Sequence, residues 1–547
     1  MKTMNIIQYL IKRINELGVE EFFGVPGDYN FNLIEEVQNN SNTKWIGCCN
    51  ELNSGYAADG YARIKGLGAV VTTFGVGELS AINAVAGSYA ESVPVVKLVG
   101  MPKRKPISDG RIMHHSLGDL NYEVFCEMYS KVTAHSVILS VENAQEEIEK
   151  ALSVAYNLKK PVYIGLYGDL CLEPIEITTK PFEPNKTNQD TLNSVINHIL
   201  SLLEEAKKPL IVSEFPILRY GLENQMQEFV DNSGFMATTL AMGKGSINEN
   251  SKNYIGLYCG DLTSAKTCEM VESADCVLGF GILMTDFNSG GFTSRLDFTK
   301  VIDIQSNYVK IDDIEYKDVY IADVLEQLNK KIIKKDLNIT KVDFGYAKEV
   351  ANDEDLTQSY IYSMMQDFLS PSDIFVTETG LTSFGSIPSK IPHGVKFCSQ
   401  TLWGSIGWGT PACLGASVAD RTKRVIMLTG EGSHQMTVQE ISTMLRYGVN
   451  PIIVVVNNEG YTIERLLCID PMEEYNDIAK WDYTKLVEAF DGKSLRLKVR
   501  TKKEFLEALN SARRTNELVY IEAFTDIMDA PEFACKLSDK CSPLAQF

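Results

Sequence analysis

The chain of 547 residues carries a formal net charge of -20 and a sequence pI near 4.9, a balance that excludes nucleic acid as a partner because its phosphates would be repelled. With 44% hydrophobic and 23% charged residues the composition is that of a folded protein rather than a disordered one, and at about 150 residues per domain the length exceeds a single core. No run reaches transmembrane length, the first residues lack a signal-peptide core, and the twelve cysteines show no CxxC spacing; a cytoplasmic location, no membrane association and buried free thiols are therefore expected.

Residues 6–17 have helical periodicity closed by Gly18, and 21–28 read as a short strand ending in a rigid turn that presents Asp28. Alone, Asp28 is a turn-former, because Asp side chains bond nearby backbone. Residues 44–50 make a second strand with Cys48 and Cys49 embedded in it, and Glu51 opens a helix over 52–64. An acid in a first turn, taken by itself, complements the helix dipole. Strand 68–73 delivers the Gly-rich turn 74–77 to a small-residue helix, and strand 94–100 leads to a loop holding Asp109, His114, His115 and Asp119. Two of only six histidines are adjacent there, so the pair reads either as a solvated loop or as acid/base residues suited to near-neutral pH. Strand 161–166 closes a first domain expected to span 1–175.

Residues 172–188 lack apolar periodicity and read as a linker. A second domain, 189–337, has strands at 209–212, 254–258, 275–280 and 301–304; Gly279-Phe280-Gly281 is only a partial dinucleotide signature, without the third glycine. The third domain, 355–547, begins with helix 357–368 and strand 373–376, and continues through the loop 402–407 and a small-residue helix from Ala412. At its centre, two apolar runs, 425–429 and 451–456, are joined by a helical segment and end in Gly430-Glu431-Gly432-Ser433 and Asn457-Asn458-Glu459-Gly460. In such a βαβ unit ligands lie beyond the carboxyl ends of the strands. A carboxylate, a carboxamide and a free backbone carbonyl suit a magnesium ion that also holds phosphates, whereas one strand-Gly-x-Gly turn alone would be structural. The fold expected is α/β: three Rossmann-like domains with mainly parallel sheets flanked by helices, the first and third alike in design but without a sequence repeat.

Gly24-Val25-Pro26-Gly27-Asp28-Tyr29-Asn30, Asn50-Glu51-Leu52-Asn53, the run from Thr73 to Ser80, His114-His115, Leu402-Trp403-Gly404-Ser405-Ile406-Gly407 and the run from Asn457 to Glu464 occur in this order along the whole chain. Together they resemble the thiamine-diphosphate-dependent 2-oxo acid decarboxylases, the group of pyruvate, indolepyruvate, phenylpyruvate and branched-chain enzymes. The resemblance implies the thiamine-diphosphate-binding fold, thiamine diphosphate and Mg2+ as cofactors, and non-oxidative decarboxylation of a small 2-oxo acid to an aldehyde and carbon dioxide. It implies Glu431, Asn458 and the Gly460 carbonyl as magnesium ligands, with Gly432 and Ser433 on the diphosphate. Glu51 matches the acid on the aminopyrimidine ring, Gly380 and Gly404 its backbone contacts, and Ile406 the side chain that bends the cofactor. Asp28, His114, His115 and Glu464 match the acid/base residues. Phe287, Thr379, Ser383 and Ile463 are expected beside the substrate side chain; Thr379 with Glu378 and Gly380, the run Asp286-Phe287-Asn288 and Ile463 look like the pyruvate enzymes. A homodimer or homotetramer is implied, two subunits closing over a cofactor that water must not reach.

Two positions depart from the pattern. Glu431 stands where the usual turn has Asp, an arm longer by about 1.5 Å; magnesium demands tight octahedral geometry, so the turn must retract or affinity must fall. Leu381 stands where many relatives place a hydroxyl near the diphosphate, leaving Thr382 or backbone to serve. The cysteine loop of fungal pyruvate enzymes is replaced by Ser213-Glu214-Phe215-Pro216, so substrate activation by that route is not expected. Indolepyruvate, phenylpyruvate and branched-chain substrates remain alternatives, as does an acetolactate-synthase-like carboligase, against which the His pair and Glu464 argue. A non-catalytic protein that has kept the fold and a dinucleotide oxidoreductase are the readings from other classes.

Overall fold

The computed structural model describes residues 2–177 and 182–541. Its α/β architecture matches the expected class. The first sheet has six parallel strands in the order Lys44–Gly47, Glu21–Gly24, Gly68–Thr73, Val95–Met101, Val162–Tyr167, His135–Ile138. The last has six more in the order Lys396–Ser399, Ile374–Thr377, Val425–Gly430, Ile452–Asn457, Leu518–Phe524, Ser494–Val499. Ranked along the chain, both sheets run second, first, third, fourth, sixth, fifth. Their central strands are buried on both faces, as parallel strands covered by helices must be. The edge strands Lys396–Ser399 and Ser494–Val499 are partly exposed and mixed in polarity, which is why no apolar run announces them.

The middle sheet has seven strands. Tyr254–Leu257, Met236–Thr239, Pro209–Ser213, Cys276–Phe280 and Val301–Ile304 are parallel, and the hairpin Tyr308–Ile311 with Ile314–Lys317 adds two antiparallel strands at one edge. Beyond these strand ends, the Pro216 ring lies 2.3 Å from where a Cβ on Gly281 would stand. The partial dinucleotide turn is thus filled by the chain itself.

Three expectations are corrected. The linker is not structureless at its start, because Pro174–Ile177 pairs antiparallel with Lys2–Asn5; residues 178–181 lie outside those described. Cys48 and Cys49 follow the second strand instead of lying in it, and Cys49 is exposed. A helix, Phe31–Asn39, fills a stretch for which no element was expected.

The first and last sheets meet through equivalent helices. Each sheet has a helix of small residues between its second and third strands, Glu51–Lys65 and Gly409–Ala419, and the two pack on each other. A Cβ on Gly60 would lie 2.2 Å from the Ala412 carbonyl oxygen, and one on Gly415 1.9 Å from that of Ala57. Such backbone contact demands glycine. Burial on nearly every side explains why neither helix carries an amphipathic stripe.

Candidate active site

A cavity of about 740 Å³ opens at the carboxyl ends of the last sheet. Glu431, first residue of the short helix Glu431–Gln435, reaches it from strand Val425–Gly430, while Asn458 and Gly460 reach it from strand Ile452–Asn457. Glu431 is 1% exposed, and burial pushes its carboxyl up to about 7 against the pull of backbone N–H groups. Oε1 accepts from the N–H of Asn458 at 3.2 Å and of Gly460 at 2.8 Å. The longer arm is thus accommodated by reaching across to the neighbouring turn.

One end of the Asn458 carboxamide stands 3.1 Å from the Gly460 carbonyl oxygen and 3.2 Å from Glu431 Oε2. With the amide oxygen at that end, three acceptors would converge as the ligands of a cation do. For magnesium–oxygen bonds of about 2.1 Å, adjacent octahedral ligands lie about 3.0 Å apart. The residues therefore fit the ion. Without it, turning the carboxamide over lets its nitrogen donate to both oxygens and its oxygen accept from the Thr462 hydroxyl at 2.8 Å.

Gly380, Thr382, Gly404, Ile406, Gly432 and Ser433 all line the same cavity, as do Phe287, Thr379, Ile463 and Glu464. The hydroxyl of Thr382 donates to the Glu378 carbonyl at 2.9 Å and that of Thr379 to the Gln400 carbonyl at 3.1 Å. Ser383 does not line the cavity; its hydroxyl pairs with that of Ser399 at 2.8 Å. Leu381, Phe384, Leu467 and Leu537 add apolar surface to the cavity lining.

The other expected residues form a second cluster on the first sheet. His114 Nε2 lies 2.9 Å from Asp28 Oδ2, the Tyr29 hydroxyl lies 3.0 Å from His114 Nδ1, and the His114 and His115 rings stand 4.6 Å apart. Asp28 and both histidines bring ligand-type atoms within 4.8 Å of one another. Glu51 is close to the Gly-rich turn, its Oε1 3.2 Å from where a Cβ on Gly77 would stand. Glu78 braces that turn, accepting from the Gly75 N–H at 2.7 Å and the Tyr163 hydroxyl at 2.9 Å. Burial raises the pKa of Glu78 and lowers that of its neighbour Lys97. None of Asp28, Glu51, His114 or His115 lines the cavity of its own chain. The expected site residues of one chain thus fall into two clusters, only one of which lines the cavity.

Sequence reasoning missed the supports of the cavity loop. Glu91 accepts from the N–H of Leu402 at 2.6 Å and of Trp403 at 3.2 Å. Asn83 accepts from the Trp403 indole at 2.9 Å and donates to the Ser405 hydroxyl at 3.1 Å, which also meets the Tyr56 hydroxyl at 2.7 Å. As polar residues on or beside helices they carry no motif that would single them out.

Three family descriptions match the chain. "Thiamine pyrophosphate enzyme, N-terminal TPP binding domain" covers residues 4–122, the central domain 196–330, and the C-terminal TPP binding domain 384–523. The chain is 36% identical to pyruvate decarboxylase of Kluyveromyces marxianus over 97% of both chains. It is 37% identical to that of Aspergillus fumigatus, over 98% of this chain and 96% of the relative, and 36% identical to pyruvate decarboxylase isozyme 3 of Saccharomyces cerevisiae over 98% of both.

Proposed function

The chain belongs to the thiamine-diphosphate-dependent 2-oxo acid decarboxylases, and on that premise we propose that it takes up pyruvate and a proton and releases acetaldehyde and carbon dioxide. The substrate is supported by the relatives' names and by the small residues Thr379 and Gly380 beside Phe287 in the cavity. The observation that carries the cofactor assignment is the convergence of the Glu431 carboxylate, the Asn458 carboxamide and the Gly460 carbonyl in the lining of one cavity.

Glu431, Asn458 and the Gly460 carbonyl would hold magnesium, and Gly432 and Ser433 would hold the diphosphate. Gly380 and Gly404 would hold the pyrimidine through backbone, with Ile406 lining the same cavity. Bound there, thiamine diphosphate supplies the electron sink that loss of carbon dioxide requires. Glu51 is the carboxyl that would meet the pyrimidine. Asp28 orients His114 through Nε2, and with His115 these residues carry the proton that the aldehyde takes up, while Glu464 acts from the cavity side. Thr379 and Ile463 shape the substrate end. Ser383, turned toward Ser399, acts on the pocket only by fixing the turn.

The half-sites are completed by a second copy, the first-domain cluster of one chain closing on the cavity of the other. A homodimer, alone or paired into a tetramer, follows. We take the units as 1–175, 189–337 and 355–547, supported by one main sheet in each span. No helix among the described residues is long and apolar enough to cross a membrane.

The test is product identity. With magnesium and thiamine diphosphate, purified protein should release acetaldehyde and carbon dioxide from pyruvate in equal amounts. Acetolactate as the main product, or cofactor binding without turnover, would sink the reading.

A further inference from the structure

Glu378 is fully buried, yet no cation is among its partners in the hydrogen bonds and ion pairs of the described residues. Its carboxylate accepts backbone N–H groups instead. Oε1 takes that of Thr379 at 2.9 Å and Oε2 that of Gly409 at 2.8 Å. Burial pushes its carboxyl up to about 7, while the N–H groups of Gly409, Thr379 and Gly407 pull it down. The backbone of Glu378 is committed as well: its N–H donates to Leu428 at 3.0 Å, and its carbonyl accepts from Thr382.

These bonds join two turns. Thr379, Gly380, Leu381 and Thr382 follow Glu378 and line the cavity, and Gly404 and Ile406 line it just before Gly409 opens its helix. A Cβ on Gly409 would stand 2.9 Å from Glu378 Oε2, so the helix start is built for this carboxylate. An amide could not replace it, because its NH2 would face an N–H donor.

We propose that Glu378 is a positioning residue that locks the turn bearing Gly380 against the turn bearing Gly404, and so sets the spacing at which the two grip the cofactor's ring. The proposal rests on the decarboxylase reading. A merely structural acid would affect folding alone; a positioning acid also sets cofactor affinity in chains that remain folded.

The experiment compares the unmodified protein with Glu378→Gln and Glu378→Asp, recording melting without cofactor, half-saturating thiamine diphosphate by fluorescence titration, and kcat and KM for pyruvate at saturating cofactor. Glu378→Gln is expected to need at least tenfold more cofactor and to lose kcat, with pyruvate KM within twofold; Glu378→Asp, which keeps the charge but not the reach, should fall between. Unchanged cofactor affinity in either folded variant overturns the proposal. If neither variant folds, hydrogen exchange on the unmodified holoenzyme decides. Residues 378–382 and 404–409 should slow together on cofactor addition, and slowing of one turn alone overturns it. An unmodified protein that binds no thiamine diphosphate would instead overturn the functional reading.

Discussion

The Asn458 carboxamide and Glu431 Oε2 meet at 3.2 Å, close enough for both to hold one cation when the amide turns its oxygen toward it. Removing magnesium with a chelator should therefore release thiamine diphosphate and lower the melting temperature, and magnesium should reverse both changes. Since Glu431 Oε1 also accepts from the N–H of Asn458 and of Gly460, this turn is built around the longer arm. Glu431→Asp, shorter by about 1.5 Å, gives up either those bonds or the ion. Half-saturating magnesium should rise several-fold; an unchanged value would show the longer arm to be incidental.

The helix crossing sets a second expectation. A methyl on Gly415 would lie 1.9 Å from the Ala57 carbonyl, and backbone cannot yield as a flexible side chain does. Gly415→Ala should lower stability by about 2–3 kcal/mol, the usual cost of overpacking, seen as earlier unfolding in urea. Gly168→Ala, whose nearest contact would be at 3.4 Å, should change little.

How far the sequence could be read depends on burial. Runs such as Val425–Gly430 and Ile452–Asn457 are apolar because both faces are covered, and each ends in a turn that lines the cavity, so the placement of Glu431 and Asn458 at strand ends was legible. The edge strand Lys396–Ser399, partly exposed, was not. Ser383 shows a finer limit. In helix Leu381–Ser386 one step turns a side chain by about 100°, enough to point Ser383 at Ser399 while Thr382 and Phe384 line the cavity. Glu91 and Asn83 depend on tertiary contact with a loop more than 300 residues away, which no local pattern records.

The middle domain contributes a pH dependence. Glu214 is fully buried, and burial pushes its carboxyl up to about 8. Between its ordinary value and about 8 the folded state holds a proton that the unfolded state has lost, so stability falls as pH rises through that window. Between pH 6 and pH 8 the loss is about 2 kcal/mol, at about 1.4 kcal/mol per pKa unit. Glu214→Gln, which keeps an acceptor for the Phe215 N–H, should flatten this slope and unfold later than the unmodified chain at pH 8. A slope that survives the substitution would place its origin elsewhere.

The proposed division of the site between two chains makes the strongest demand. Asp28 and His114 meet at 2.9 Å on the first sheet, whereas Glu464 lines the cavity on the last. Asp28→Asn and Glu464→Gln should each lower kcat by about 100-fold or more, the range for lost acid/base groups, with cofactor affinity close to normal for Asp28→Asn. In a hybrid dimer of the two variants, one site pairs both defects. The other pairs an intact Asp28 with an intact Glu464. For a two-fold dimer reassembled from an equal mixture, half the dimers are hybrids with one good site of two, so activity should return to about a quarter of the unmodified level. If each chain completed its own site, dissociating and mixing the two inactive proteins would restore nothing.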